Sequence, residues 1–383
     1  MGKPPIRCLL MSPTAPPDPD NGDAQFTRDL LAHPPEGVEF VSYIDALASG
    51  QIRWAPSLKQ PGSWRGSGRD GWAMAPRAGL HLVRRAGWLL PDPLRWVRVL
   101  APFDVVHVHC MPVRFLGRVP PIVASDSAGT FWHWTAARGM PSRRVRRLLG
   151  RERRVARALG YLHPSVRPER ADRLLLFVDA GRALLEGVGA STDGALQCPP
   201  GVPPPAPSTG GDGRTLAFVG RDFKAKGGDI ALEVLQRVRH SHPGTRLLLA
   251  GADGPDPGLD GATWLGLRPR EELYREVYAK ADLFLYPTRV DCAPLVVMEA
   301  LAHGVPVVAP RAFAMPELVR DGITGTLFAP GEAANAAAAV RELLDDPTRL
   351  AAMRQASRRD FEARFSIERR NEILGSTYAE VAR

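Results

Sequence analysis

The chain has 383 residues, 44% of them hydrophobic and 24% charged, which excludes wholesale disorder and a membrane-embedded bundle and fits two domains of ordinary size. Four cysteines, Cys8, Cys110, Cys198 and Cys292, form no C-x-x-C pair, which argues against a zinc ribbon or a disulfide framework and for a reducing, cytoplasmic setting. The net charge of +9 is uneven: residues 1–200 hold 27 Lys/Arg and 17 Asp/Glu, residues 201–383 hold 23 and 24.

The basicity is concentrated in residues 51–157, with 20 Lys/Arg, 5 Asp/Glu and seven of the eight tryptophans, so the two halves are expected to have different partners. The opening residues Met1–Arg7 carry neither a signal-peptide core nor a myristoylation pattern, and no long apolar run follows. No targeting segment or covalent anchor is expected.

In chain order, strand-like runs at Ile6–Met11, Val38–Tyr43, Asp104–His109, Pro121–Ser125 and Arg173–Val178 alternate with helical patterns. That is the signature of an α/β fold with a parallel, doubly wound sheet. After the Pro/Gly-rich break Pro199–Arg214 the alternation restarts at Thr215–Val219, Arg246–Ala250, Leu283–Tyr286 and Val305–Ala309. Helices are expected over Gly228–His240, Arg270–Ala281, Pro294–Ala302, Glu332–Leu344 and Thr348–Phe365, and the Ala333–Ala339 patch reads as a helix surface. The expected domains are residues 1–205 and 206–365, with a helix in 366–383 packing back on the first. Their ligands belong in the cleft between them, at the carboxyl ends of the strands.

Two constellations carry chemistry. Phe218–Gly228 is a strand ending in Gly220, a short basic loop with Arg221 and Lys226, then a helix. Such a turn aims free N–H groups and a dipole end at one spot, and two cations there suit a diphosphate; it is not a Walker loop. The second runs Tyr286-Pro-Thr-Arg-Val-Asp-Cys-Ala-Pro-Leu-Val-Val-Met-Glu299, with Asp291 and Glu299 eight residues apart. If Pro294 starts the helix, Asp291 lies at its mouth and Glu299 about one and a half turns inside, placed to accept from neutral hydroxyl groups. Paired carboxylates also occur in glycosidases, which do not normally add a diphosphate-shaped loop.

The stretch from about residue 215 to 330 resembles the donor domain of family 4 retaining glycosyltransferases of the two-Rossmann (GT-B) fold. Their Gly-Arg with Lys-Gly five residues on matches Gly220, Arg221, Lys226 and Gly227, and their E-x7-E motif matches Asp291 to Glu299 followed by Ala-Leu-Ala-His-Gly-Val-Pro. The resemblance implies that Arg221 and Lys226 neutralise the donor diphosphate and that Glu299 binds the nucleotide ribose. Asp291 with Cys292, Ala293, Pro294 and Leu295 would hold the transferred sugar, and Gly266 and Leu267 would lie near the base. It further implies retention of configuration, no protein nucleophile and no metal. Asn21-Gly22 stands at the family's Gly-Gly position, where loop N–H groups approach the donor phosphate. Asp291 replaces the usual first Glu, and Asp126, Ser127 or His133 stand where a histidine is common, which bears on sugar selection.

Arg138–Arg157 holds nine Arg and one Glu. It reads as a surface for anionic membrane on the inner face, a site for an acidic acceptor, or a solvated helix. The Trp/Arg interleaving of Arg53–Arg98 suits an interface or a sugar-stacking site. No nucleic-acid motif accompanies the basicity, so nucleic acid is not expected. The sequence thus points to a hexosyltransferase-like enzyme with a lipid-linked, polysaccharide or natural-product acceptor. A sugar-nucleotide epimerase of related fold and a nucleotide-sugar-binding protein without turnover remain as alternatives.

Overall fold

The computed structural model describes residues 4–12, 22–55, 96–126, 141–205, 211–251 and 258–383. In the first half, β1 (Ile6–Met11), β2 (Val38–Ser42), β5 (Val105–His109), β7 (Ile122–Asp126), β8 (Arg173–Leu176) and β9 (Leu196–Gln197) form one parallel sheet in the order β2-β1-β5-β7-β8-β9. Val105–His109 is buried at every position and Leu9, Leu10, Val106 and Val108 are sealed off, as a sheet covered on both faces requires. A small second sheet joins β3 (Ile52–Ala55), β4 (Trp96–Val99) and β6 (Arg114–Phe115).

The second half contains β10 (Thr215–Val219), β11 (Arg246–Ala250), β12 (Ala262–Gly266), β13 (Leu283–Leu285), β14 (Val307–Pro310) and β15 (Gly325–Phe328), all parallel, in the order β12-β11-β10-β13-β14-β15. Its core includes Leu216, Phe218, Leu247, Leu249 and Phe284, with Ala217 opposite Phe284 in the ladder. The chain winds outward from β10 to one edge, then crosses to β13 and winds to the other. The direction reverses between β10 and β13, and a crevice opens at the carboxyl ends of strands where an open α/β sheet reverses.

Several expectations are corrected. The edge strands β12 and β15 lie outside the expected runs, and Val305–Ala309 is shifted to begin at Val307, after Pro306. The expected helix Arg270–Ala281 stops at Glu276 and resumes as a single tight turn over Tyr278–Lys280, with Val277 between them at φ −113° and ψ −70°. That break aims Tyr278 at Glu299. The alanine patch is not surface: Ala336 and Ala337 are completely buried, and the helix Ala333–Leu344 packs on the helix Gly228–Arg239. Side chains that small let two helix axes approach closely.

The helix Ile367–Val381 follows the second half in sequence but contacts the first. Tyr378 Oη lies 2.6 Å from His107 Nδ1, Glu380 pairs with Arg173, and Arg370 donates to His33 O at 2.7 Å. The two halves also meet where the Glu317 carboxylate accepts from the N–H groups of Asp179 and Ala180, each at 2.6 Å.

The arginine-rich segment forms the helix Ser142–Leu159, and Arg138 lies outside the described residues. Its apolar stripe, Val145 and Leu149, is covered by Val166 and Val188. Arg143, Arg144, Arg147, Arg151, Arg154 and Arg157 are exposed, while Arg153 is tied to Glu169 at 2.7 Å. Glu152 is buried beneath them with Oε1 unpartnered, and burial pushes its carboxyl up to about 8 from 4.5. The folded state therefore holds this proton between those values while the unfolded chain releases it, so the fold loses stability as pH rises through that window. Glu152→Gln is expected to raise the melting temperature at pH 9 by a few degrees, reflecting a buried charge worth on the order of a few kcal/mol, with the gain shrinking toward pH 5. A gain independent of pH in melting curves would contradict a neutral buried Glu152.

Candidate functional site

Both sequence constellations arrive at the reversal point of the second sheet. Gly220 ends β10 and the loop after it folds back, so that a Cβ on Gly220 would fall 2.8 Å from the Lys226 Cβ. Gly227 caps the helix Gly228–Arg239 at φ +81°, and a Cβ there would strike Pro287 O at 2.1 Å. Only glycine fits this close approach of the loops following β10 and β13. The junction is completed by Arg289, whose N–H donates to Ala225 O at 2.9 Å and whose guanidinium pairs with Asp229 at 2.6 Å.

Lys226 reaches from one loop to the other. Its Nζ lies 2.5 Å from Asp291 Oδ2 and donates to Val290 O at 3.1 Å. Asp291 Oδ2 also accepts from Tyr286 Oη at 2.6 Å, and Oδ1 accepts from the Cys292 N–H at 2.8 Å. Burial first, then the adjacent carboxylate, holds the Tyr286 hydroxyl well above its usual pKa, so it stays a donor. Arg221 is exposed at the start of the same loop.

Pro294 is buried and caps the helix Leu295–Ala302, with Asp291, Cys292 and Ala293 in the loop before it. Ala293 packs against the cores of both halves. Glu299 is 4% exposed, accepting from Arg270 Nε at 2.8 Å and from Tyr278 Oη at 3.0 Å. Gly251 and Gly266 turn side by side, the Gly251 N–H donating to Gly266 O at 2.9 Å, and Leu267 beyond them is 43% exposed. The structure thus brings Lys226 and Asp291 into direct contact and sets Glu299 in a separate polar cluster, on the helix that follows the Asp291 loop.

On the first half, Gly22 opens the helix Gly22–Ala32, while Asn21, Ser127 and His133 lie outside the described residues, as do Trp64, Trp72 and Trp88. Asp126 ends β7 and is 2% exposed, accepting from Ser165 Oγ at 2.9 Å. His107 and His109 are both sealed in the core. His107 is lowered to about 3 by burial and by the charges of His109 and Arg370, and His109 lies against Phe26 and Phe177 with ring centres 4.5 and 5.4 Å away. Sequence reading passed over Tyr286, Tyr278, Arg270 and Asp29. The tyrosines sit at strand ends and helix breaks that resemble ordinary core, and Arg270 meets Asp29 across 241 residues.

Among the described residues, no helix is long and apolar enough to cross a membrane. A family model described as glycosyl transferases group 1 matches residues 213–346. D-inositol 3-phosphate glycosyltransferase of Geodermatophilus obscurus is 30% identical over 318 residues, covering 73% of this chain and 67% of that protein. The protein of the same name from Corynebacterium kroppenstedtii is 32% identical over 185 residues, 44% of this chain and 41% of its own, so the match spans less than half of that relative. Among solved structures, HepE of Anabaena in complex with UDP superposes with a TM-score of 0.60 at 15% identity, over 98% of this chain and 100% of that one. With two six-stranded parallel sheets and a match that runs through both of them, the chain belongs to the glycosyl transferases group 1 family, family 4 of the GT-B fold.

Proposed function

We propose that the protein is a retaining glycosyltransferase that moves a sugar from a nucleoside-diphosphate sugar to an acceptor hydroxyl. The observation that carries this reading is the lysine of the loop after β10, held against the mouth of the helix after β13 at the reversal point of the sheet. Bond cleavage at the anomeric carbon leaves negative charge on the diphosphate. Lys226, Arg221 and the N–H groups of the two loops supply preorganised positive potential where it collects. These cations fill the role a divalent ion takes elsewhere, so no metal is needed. Retention follows if the acceptor hydroxyl attacks from the face the diphosphate leaves, and no side chain is asked to act as nucleophile. Relatives named for transfer to D-inositol 3-phosphate and a fold neighbour holding UDP support the donor class and a hydroxyl acceptor.

Asp291 takes a different task from the one the family pattern implies. Both its oxygens are engaged, by Lys226, Tyr286 and the Cys292 N–H, so it positions the lysine. Sugar selection then rests on the N–H groups of Cys292, Ala293 and Leu295, and Glu299 receives the ribose hydroxyls. Calorimetry with UDP, GDP, ADP and dTDP against wild type and Lys226→Ala tests the donor site. One base class binding wild type and losing affinity in the variant supports it, and no binding at all overturns it. Donor binding without nucleotide release to any acceptor would favour a binding protein, and release of an altered sugar nucleotide an epimerase.

The arginine face of the helix Ser142–Leu159 is suited to an anionic membrane surface by charge alone, because its apolar stripe is already spent on the protein's own core. Replacing Arg143, Arg144, Arg147 and Arg151 by Gln is expected to weaken adsorption to phosphatidylserine vesicles by roughly tenfold or more, most clearly at low salt, with nucleotide affinity unchanged. Equal vesicle binding by both proteins in sedimentation would make the helix a bystander.

A further inference from the structure

One guanidinium joins the halves next to Glu299. Arg270 opens the short helix Arg270–Glu276 just beyond the Gly266–Pro269 turn that follows β12. Its Nε donates to Glu299 Oε1 at 2.8 Å, and its Nη1 donates to both oxygens of Asp29, each at 2.8 Å. Asp29 belongs to the helix Gly22–Ala32 of the first half and also accepts from Gln25 Nε2 at 2.9 Å. The side chains of Arg270, Asp29 and Glu299 are 13%, 8% and 6% exposed, and the guanidinium lies over the Tyr274 ring, 5.6 Å from its centre.

A buried chain of two carboxylates and one cation is a poor way to gain stability, since desolvation consumes most of the attraction. What it does provide is geometry. A planar fork that engages two carboxylates on different bodies fixes the orientation of each only while both bodies are in place. Arg270 Nη2, buried with no hydrogen-bond partner, shows that the fork is held for these two contacts and not for complete satisfaction of its own donors.

We propose that Arg270 is a positioning residue that couples donor capture to the meeting of the two halves, holding the Glu299 carboxylate in register only when Asp29 is engaged. This rests on the reading of Glu299 as the ribose carboxylate. When the halves part, Glu299 loses the far anchor of its partner, and when they meet the ribose site is set. By linkage, the factor by which contact between the halves improves donor affinity equals the factor by which donor favours that contact.

The test is Asp29→Asn, which alters the distal anchor and leaves Glu299 and Arg270 in place, alongside Arg270→Gln and the double variant. Calorimetry uses whichever of UDP, GDP, ADP and dTDP binds the wild type. The dissociation constant for Asp29→Asn is expected to rise about 5-fold or more, with donor KM rising further than kcat falls, and the double variant binds no more weakly than Arg270→Gln alone. A role confined to stability would lower the melting temperature and leave affinity and the KM-to-kcat split untouched. Affinity within twofold of wild type, or penalties that simply add in the double variant, overturns the coupling. Failure of the wild type to bind any of the four nucleotides instead overturns the donor reading itself, and the coupling with it.

Discussion

Lys226→Ala is expected to lower turnover by about 10²-fold or more, the usual consequence of deleting a preorganised charge contact to a developing anion. The ammonium group bridges the two loops, and its charge offsets the Asp291 carboxylate 2.5 Å away. Removing it leaves the Asp291 carboxylate held by Tyr286 and Cys292 without that counter-charge, so the place where diphosphate charge must build loses its positive potential. Arg221→Ala should do less, because an exposed guanidinium is screened by solvent. Asp291→Asn separates the two functions: it frees the lysine from its partner without removing positive charge, and is expected to affect kcat less than Lys226→Ala. Steady-state kinetics with the donor identified by calorimetry, beside melting curves for each variant, distinguishes these outcomes. Near-normal turnover in a folded Lys226→Ala protein would remove the basis for assigning the loop to the diphosphate.

The parts of this site that could be read from sequence are those whose geometry is local. Gly220, Lys226 and Gly227 fall within eight residues, and the positive φ of Gly227 and its contact with Pro287 are demands that a glycine records directly. The spacing from Asp291 to Glu299 likewise fixes one loop and one helix. What escaped is set by contacts between distant segments. Nothing near Arg270 in sequence marks it as the partner of Asp29, and nothing near Val277 marks the break beyond which Tyr278 donates to Glu299. The alanine patch misled for the same reason: alanine signals a helix equally well whether a neighbouring helix covers it or water does. In the arginine helix the amphipathic period was visible, but not that its apolar stripe was already covered by Val166 and Val188.

Arg370→Ala is expected to give the largest loss of stability, roughly 3–5 kcal/mol, since it combines a buried cavity with buried carbonyl groups stripped of their donors. Arg370 is 1% exposed in the first turn of the helix Ile367–Val381. It donates to His33 O at 2.7 Å and Pro200 O at 3.3 Å, so one side chain ties the end of the chain both to the segment following the helix Gly22–Ala32 and to the segment leading out of the first half. Its stem lies on Gly201, where a Cβ would fall 2.9 Å from the Arg370 Cβ and where φ is +70°. Gly201→Ala should therefore destabilise the same junction from the opposite side by strain. Arg370→Lys keeps the charge, but a single ammonium cannot span both carbonyl groups, and its melting temperature should fall between wild type and Arg370→Ala. The order wild type, Lys, Ala in thermal unfolding is the expected result. A wild-type melting temperature for Arg370→Ala would show that the terminal helix is held by its other contacts, Tyr378 and the Glu380–Arg173 pair among them, with the arginine contributing no net stability at the junction of the two halves.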